Sequence, residues 1–197
     1  MSSVFSVLLG GFAVTGIGYA AYAHYLHRKR LRFIDDYSWP PGLIGKLRQH
    51  HPHLSEPDAR KVALGLKQFF RAYLKAGKRA VAMPSQAADD LWHEMILYTK
   101  EYHRFCGRAF GTYLHHTPAV VLRKDQRADN AGLRRVWTQC CREEGIDITR
   151  PMRLPLLFSL DRDLAIAGGY HYTPDCAELR QRGVAGAQRG GDFASAG

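Results

Sequence analysis

Residues 85–106 read SQAADDLWHEMILYTKEYHRFC, and this stretch decides the fold class. Ala88, Leu91, Trp92, Met95, Tyr98, Thr99, Tyr102, Phe105 and Cys106 recur three and four positions apart, a period near 3.6 that predicts one amphipathic helix from the cap Ser85 to a stop near Gly107. Working outward, Ser55-Glu56-Pro57-Asp58 has the form of an N-cap with Pro in the first turn and an acid at the third position. Val62, Leu66, Phe69, Phe70, Tyr73 and Leu74 follow at helical spacing, and Gly77 ends the run. Downstream, Asn130 caps a third helix with Leu133, Val136, Trp137, Cys140 and Cys141 on one side and Gly145 at its close, and Pro155 opens a fourth, LPLLFSLDRDLAIAGG, ending at Gly168-Gly169. Residues 107–129 read as a loop with an extended piece at Val120 to Leu122. No repeat and no series of strands is present, so the expected class is predominantly α: an N-terminal transmembrane helix, a compact helical domain and a flexible C-terminal tail.

The transmembrane expectation comes from Val4 to Leu26, VFSVLLGGFAVTGIGYAAYAHYL, which holds no Lys, Arg, Asp or Glu and has the length a bilayer requires, roughly 20 residues. Arg28, Lys29, Arg30 and Arg32 stand directly behind it and would place the folded domain in the cytoplasm, under the inner membrane if the protein is bacterial. A cleaved signal peptide would use Ala21-Tyr22-Ala23 but needs its basic residues before the apolar run. Gly16-Ile17-Gly18-Tyr19-Ala20-Ala21 fits a dinucleotide-binding pattern, yet the basic cluster and Pro40-Pro41 leave no strand, helix and strand around it. Gly16 and Ala20 have the spacing of close helix pairs, which allows a homodimer through the span. The domains expected are therefore 1–27 (signal anchor), 28–42 (basic juxtamembrane segment and Pro-rich linker), 43–182 (helical domain) and 183–197, where Gly, Ala, Ser and Arg cannot bury enough apolar surface to order.

The 197 residues carry a formal charge of +10 and are 46% apolar, ordinary for a chain that folds into one domain with short appendages. Collagen-like and wholly disordered chains are excluded. The basic cluster after residue 27 accounts for four of the charges and leaves +6 over the rest, an orientation signal and a surface suited to anionic lipid. Arg123, Lys124, Arg127, Arg134 and Arg135 are interleaved with Asp125 and Asp129, a solvated face rather than a nucleic-acid footprint. Four cysteines at 106, 140, 141 and 176 do not form a secreted disulfide framework. Cys140 and Cys141 lie on an apolar helix face and read as core, and the sequence assigns no role to Cys176.

Chemistry concentrates in Asp89 to Pro118. Asp89 and His93 are one helical turn apart, so the carboxylate can hold the imidazole through its ring N–H. On a continuous helix Cys106 would be about 20 Å along the axis from His93, so the two cannot share an ion. Gly107 to His116 can reach up to about 33 Å, so His115-His116 can return to His93 or remain near Cys106. If they return, Asp89, His93, His115 and His116 form a set suited to zinc, iron or manganese; if not, His103, Cys106 and one of the pair suit zinc. Position at a helix start favours the first, with zinc or iron as the divalent cofactor. Ring nitrogens of His93 and His115 or His116 more than about 5 Å apart would argue against a preformed site.

The competing account is structural: Asp89 and His93 form a satisfied pair, His115 and His116 cap helix ends, and Cys106 is a core thiol. Histidine acid–base chemistry without a metal is a third account. His50-His51-Pro52-His53 resembles a metal tract but has no carboxylate set near it in sequence. No GxSxG, P-loop or HExxH is present, so catalytic residues, if any, are unknown.

The spacing of Asp89, Trp92-His93, Tyr102, Phe105-Cys106, Gly111, His115-His116 and Pro118 resembles the glycine-rich domain-containing protein-like family, in a short bacterial form, over residues 40–175. The resemblance implies a domain with a polar motif and no settled reaction. The expected function is thus a membrane-anchored cytoplasmic domain with a divalent-metal site for sensing or catalysis. The alternative is a tethered, non-enzymatic interaction domain that uses a protein partner and not nucleic acid.

Overall fold

The structure is a computed structural model and describes the backbone of residues 2–116, 131–174 and 188–189 and the side chains of 17–116 and 131–174. Its described residues are predominantly helical, as expected. Seven helices are present among them: α1 (Ser2–Asp36), α2 (Leu43–His50), α3 (Glu56–Lys75), α4 (Gln86–Leu97), α5 (Thr99–Ala109), α6 (Ala131–Glu144) and α7 (Leu156–Asp163). Two short strands, β1 (Tyr172–Thr173) and β2 (Gln188–Arg189), pair in parallel. Two compact units divide the chain, Met1–Tyr37 and Ser38–Gly197.

The first unit is α1, and it corrects the membrane expectation. Among the described residues no helix is long and apolar enough to cross a membrane. Residues 4–16 of the expected span lie outside those whose side chains are described. From Ile17 the helix runs through His24, His27, Arg28, Lys29, Arg30, Arg32, Asp35 and Asp36, so the basic cluster belongs to the helix itself and is not a flank beyond its end. Charges spaced through these turns have no place in hydrocarbon. The single-pass anchor and the inner-membrane, cytoplasm-facing placement built on it are therefore withdrawn.

In the second unit α3 is the central helix. Its start is the capping box foreseen from sequence: Ser55 Oγ accepts from the Asp58 N–H at 3.3 Å, and the Asp58 carboxylate accepts from the Ser55 N–H at 3.3 Å. Its end is a paired turn in which the Gly77 N–H donates to Leu74 O and the Lys78 N–H to Tyr73 O. Gly77 has φ 71°, the left-handed conformation such a stop requires. Phe69, Phe70 and Tyr73 project from α3 into an aromatic core. Phe69 and Trp92 ring centroids lie 5.2 Å apart, Phe70 and Phe105 4.9 Å, and Tyr73 and Phe110 5.0 Å.

The expected continuous helix from Ser85 to Gly107 breaks at Tyr98, which separates α4 from α5. Neither Gly nor Pro stands at the break. Tyr98 takes φ −79° and ψ 61°, its N–H donates to Met95 O at 3.1 Å, and its hydroxyl donates to Pro41 O at 3.1 Å. The side chain's tertiary anchor at Pro41 stands at the point where the periodicity is overridden. The fourth expected helix also stops early, at Asp163, where Ala165 adopts φ 50°. Asn130, the extended piece at 120–122 and the basic loop fall outside the described residues, as does Cys176. Gln188–Arg189 lies inside the segment expected to be flexible and nevertheless pairs with Tyr172–Thr173.

Two helices begin without a sufficient cap of their own and borrow one. Pro155 precedes α7 and offers no side-chain acceptor, so the Leu156 N–H donates to Glu144 Oε1 at 2.6 Å and the Leu157 N–H to Gln68 Oε1 at 3.0 Å. Gln68 in turn donates to Glu144 at 2.9 Å. At α4, the buried Asp161 carboxylate of α7 accepts from the Gln86 N–H (2.7 Å), the Ala87 N–H (3.2 Å), Ser85 Oγ (2.7 Å) and the Tyr170 N–H (2.9 Å). Ser85 Oγ itself accepts from the Ala88 N–H at 3.2 Å. Gly169 passes so close that a Cβ there would meet Asp161 Cβ at 2.7 Å.

The three described cysteines are free and buried, consistent with a core role. Burial raises all three thiols, Cys141 to about 12 and Cys140 well above its ordinary value, so none forms a thiolate near neutral pH. Asp161→Ala removes the acceptor of four donors and is expected to cost about 3 kcal/mol in chemical denaturation. Glu143 receives Arg71 (Nη2 at 2.5 Å) and Lys75 (3.0 Å), and although burial opposes ionisation these cations hold its pKa below the ordinary 4.5. A depressed folded pKa adds stability that is present above 4.5 and lost as the pH falls through the folded value. The stability difference between the wild type and Glu143→Gln should therefore shrink on acidification below about pH 4.5, as read from denaturation midpoints.

Candidate functional site

The site begins at the first turn of α4. Ser85 and Asp161 fix the helix start, so Asp89 and His93 leave α4 from a defined position one turn apart. Asp89 Oδ2 lies 3.4 Å from His93 Nδ1. The loop after α5 supplies the third member: His116 Nε2 lies 2.9 Å from Asp89 Oδ1. The His93 and His116 ring centroids are 4.1 Å apart.

A hydrogen-bonded relay brings that loop back. The Trp92 indole N–H donates to Tyr102 Oη at 3.0 Å, and the Tyr102 hydroxyl donates to Leu114 O at 2.5 Å, both buried. Burial raises the Tyr102 pKa strongly, with Cys106 adding to the shift, so the phenol keeps its proton and remains a donor. Trp92 also sets its ring edge against His116, with centroids 4.6 Å apart at 71°. One tryptophan thus orients His116 by contact and ties the preceding loop by hydrogen bonding.

Of the four ligands expected from sequence, three are brought together. One donor atom from each of Asp89, His93 and His116 lies within 4.8 Å of the others, inside the limit of about 5 Å for a preformed site. His115 is not part of this donor cluster: it is exposed and packs on Tyr113, with ring centroids 4.7 Å apart. Among the described residues this is the single group of three or more such donors, so the set of His103, Cys106 and a loop histidine is not assembled. His103 is exposed and 6.2 Å from the Tyr113 ring, while Cys106 is buried.

The His50-His51-Pro52-His53 tract does find carboxylates, on the next residues of α4. His50 Nε2 lies 2.8 Å from Glu94 Oε1, and His51 Nε2 lies 2.8 Å from Asp90 Oδ2. His53 Nε2 is 3.0 Å from Leu164 O. The acids of α4 are therefore divided, Asp89 toward His93 and His116, Asp90 and Glu94 toward the end of α2.

Asp89 and His116 line a cavity of about 340 Å³. Its wall includes Lys78, Tyr113, His115 and Tyr170, none of which the linear motif singles out except His115. Burial raises the Tyr170 pKa, and the neighbouring Asp89, Asp161 and Asp90 carboxylates add to it. Lys78 and Tyr170 enter through turns that follow Gly77 and Gly169, and those glycines were the available signal.

The resemblance to glycine-rich domain-containing proteins is not upheld, and nothing in the comparisons indicates such a family. No curated protein and no solved structure matches the chain. Residues 29–193, from within α1 to beyond β2, match the UCP032817-like family, an uncharacterised one, and the chain belongs to that family.

Proposed function

We propose that the helical domain binds one divalent transition-metal ion through Asp89, His93 and His116, for sensing or catalysis. The observation that supports the reading is the convergence of three ligand-type atoms, from two separate segments, within 4.8 Å. Donors to one tetrahedral ion at about 2.0–2.3 Å stand roughly 3.3–3.8 Å apart, so the set, now within 4.8 Å, would close by up to roughly 1.5 Å on binding. Two imidazoles and one carboxylate suit zinc or iron(II) and leave coordination positions open for water or substrate. Side-chain exposures of 21%, 49% and 11% for Asp89, His93 and His116 give solvent a route to the ion while keeping His116 fixed.

A second reading is favoured by the 2.9 Å pair of Asp89 with His116, which is satisfied without an ion and would serve only to hold the loop on α4. Metal analysis of the purified full chain separates the two. The metal reading expects about one zinc or iron ion per chain, with affinity lowered at least 100-fold by His93→Ala or Asp89→Asn and within about threefold of wild type in His115→Ala. His93 is half exposed, so its substitution should leave the far-UV circular dichroism unchanged. A chain that binds no metal, with His116→Ala costing only stability, would establish the structural reading instead.

A further inference from the structure

The cavity beside Asp89 and His116 is built from two kinds of surface. Ala80, Val81, Ala82, Met83 and Trp92 supply an apolar wall, and Lys78 supplies a cation at the end of α3. At about 340 Å³ it has the size of a small-molecule site.

Lys78 is held there by unusual means. It follows the left-handed Gly77 and itself adopts φ 59°, a conformation that non-glycine residues seldom take. The donation of its N–H to Tyr73 O at 3.0 Å keeps the residue in that turn. Among the described residues its ammonium makes one long contact, 3.4 Å to Phe110 O, and an ammonium has three donors. Across the cavity stand Tyr170 and Tyr113, phenols able to donate to an acceptor, and His115. Among the described residues the one acid on the wall is Asp89, whose charge a bound divalent ion would more than offset.

We infer that this cavity binds a small organic carboxylate, its anionic group on Lys78 and its apolar body against Trp92 and Met83, beside the Asp89, His93 and His116 centre. The inference rests on the metal reading in one respect: the carboxylate is the substrate or co-ligand of that ion. Lys78 selects the charge, the apolar wall selects the body, and the ion reverses the repulsion Asp89 would exert. A cationic or neutral ligand of the same shape gains nothing from Lys78.

The test uses the full chain, zinc-loaded and chelator-stripped, with calorimetry and tryptophan fluorescence, and with zinc content measured in every sample. The probes are benzoate, its neutral counterpart benzamide, and acetate, which lacks the apolar body. Benzoate should bind at least tenfold more tightly than benzamide and than acetate, and more tightly with zinc than without. Lys78→Gln should remove most of the benzoate preference over benzamide while leaving zinc content unchanged, and Lys78→Arg should restore part of it. Equal binding of benzoate and benzamide, or a preference that survives Lys78→Gln, would overturn the inference whatever the zinc content. If the Lys78-dependent preference is present but the protein takes up no zinc, the pocket stands and the metal reading fails.

Discussion

The buried carboxylate of Asp161 is the constraint on which the rest of the second unit depends. A helix start leaves unpaired N–H groups, and α4 begins inside the protein where water cannot serve them. Asp161 answers two of those donors directly and a third through Ser85, and it also takes the Tyr170 N–H. The negative charge sits at the positive end of the helix, where its electrostatic interaction is favourable. The same logic holds one step earlier, where Gln68 of α3 and Glu144 of α6 serve the start of α7. Two successive docking steps, at the starts of α4 and α7, thus depend on side chains from other helices.

That succession explains why the site has a defined geometry although it draws on a loop. Asp89 and His93 inherit their position from the start of α4, and His116 inherits its position from the Trp92, Tyr102 and Leu114 relay. The two supports share Trp92, which is packed against Phe69 of the central helix. A loop histidine is thereby positioned by core aromatics and not by the loop's own preferences.

The sequence disclosed the elements whose signals are local. The capping box at Ser55 and Asp58, the Gly77 stop and the apolar stripe of α3 are all written within one helix. The pairing of Asp89 with His93 was legible because one helical turn separates them, and the reach of the following loop made His116 a reasonable partner. The break at Tyr98 was not legible, because it is set by a hydroxyl donated to Pro41 from 57 positions away. The role of Asp161 was not legible either, since nothing in LPLLFSLD reveals that its carboxylate crosses to another helix. The apolar stretch near the N-terminus suggested a span by its composition, whereas the charges that follow within the same helix count against one. His115 and His116 are indistinguishable by type, and only the folded path of the loop places His116 on Asp89 and His115 on Tyr113.

The distance in sequence between Asp161 and the helix it serves has a consequence for the order of folding. α4 has 12 residues, a length at which an isolated helix is marginal in water, and the acceptors for its first donors arrive 75 positions later. Contacts this far apart form late, because the loop they close must be ordered before they repay its entropy. The helix start from which Asp89 and His93 extend therefore has its full set of acceptors only once α7 has docked. During synthesis, a chain ending before residue 161 would carry all three side chains and still lack the carboxylate that serves the start of α4.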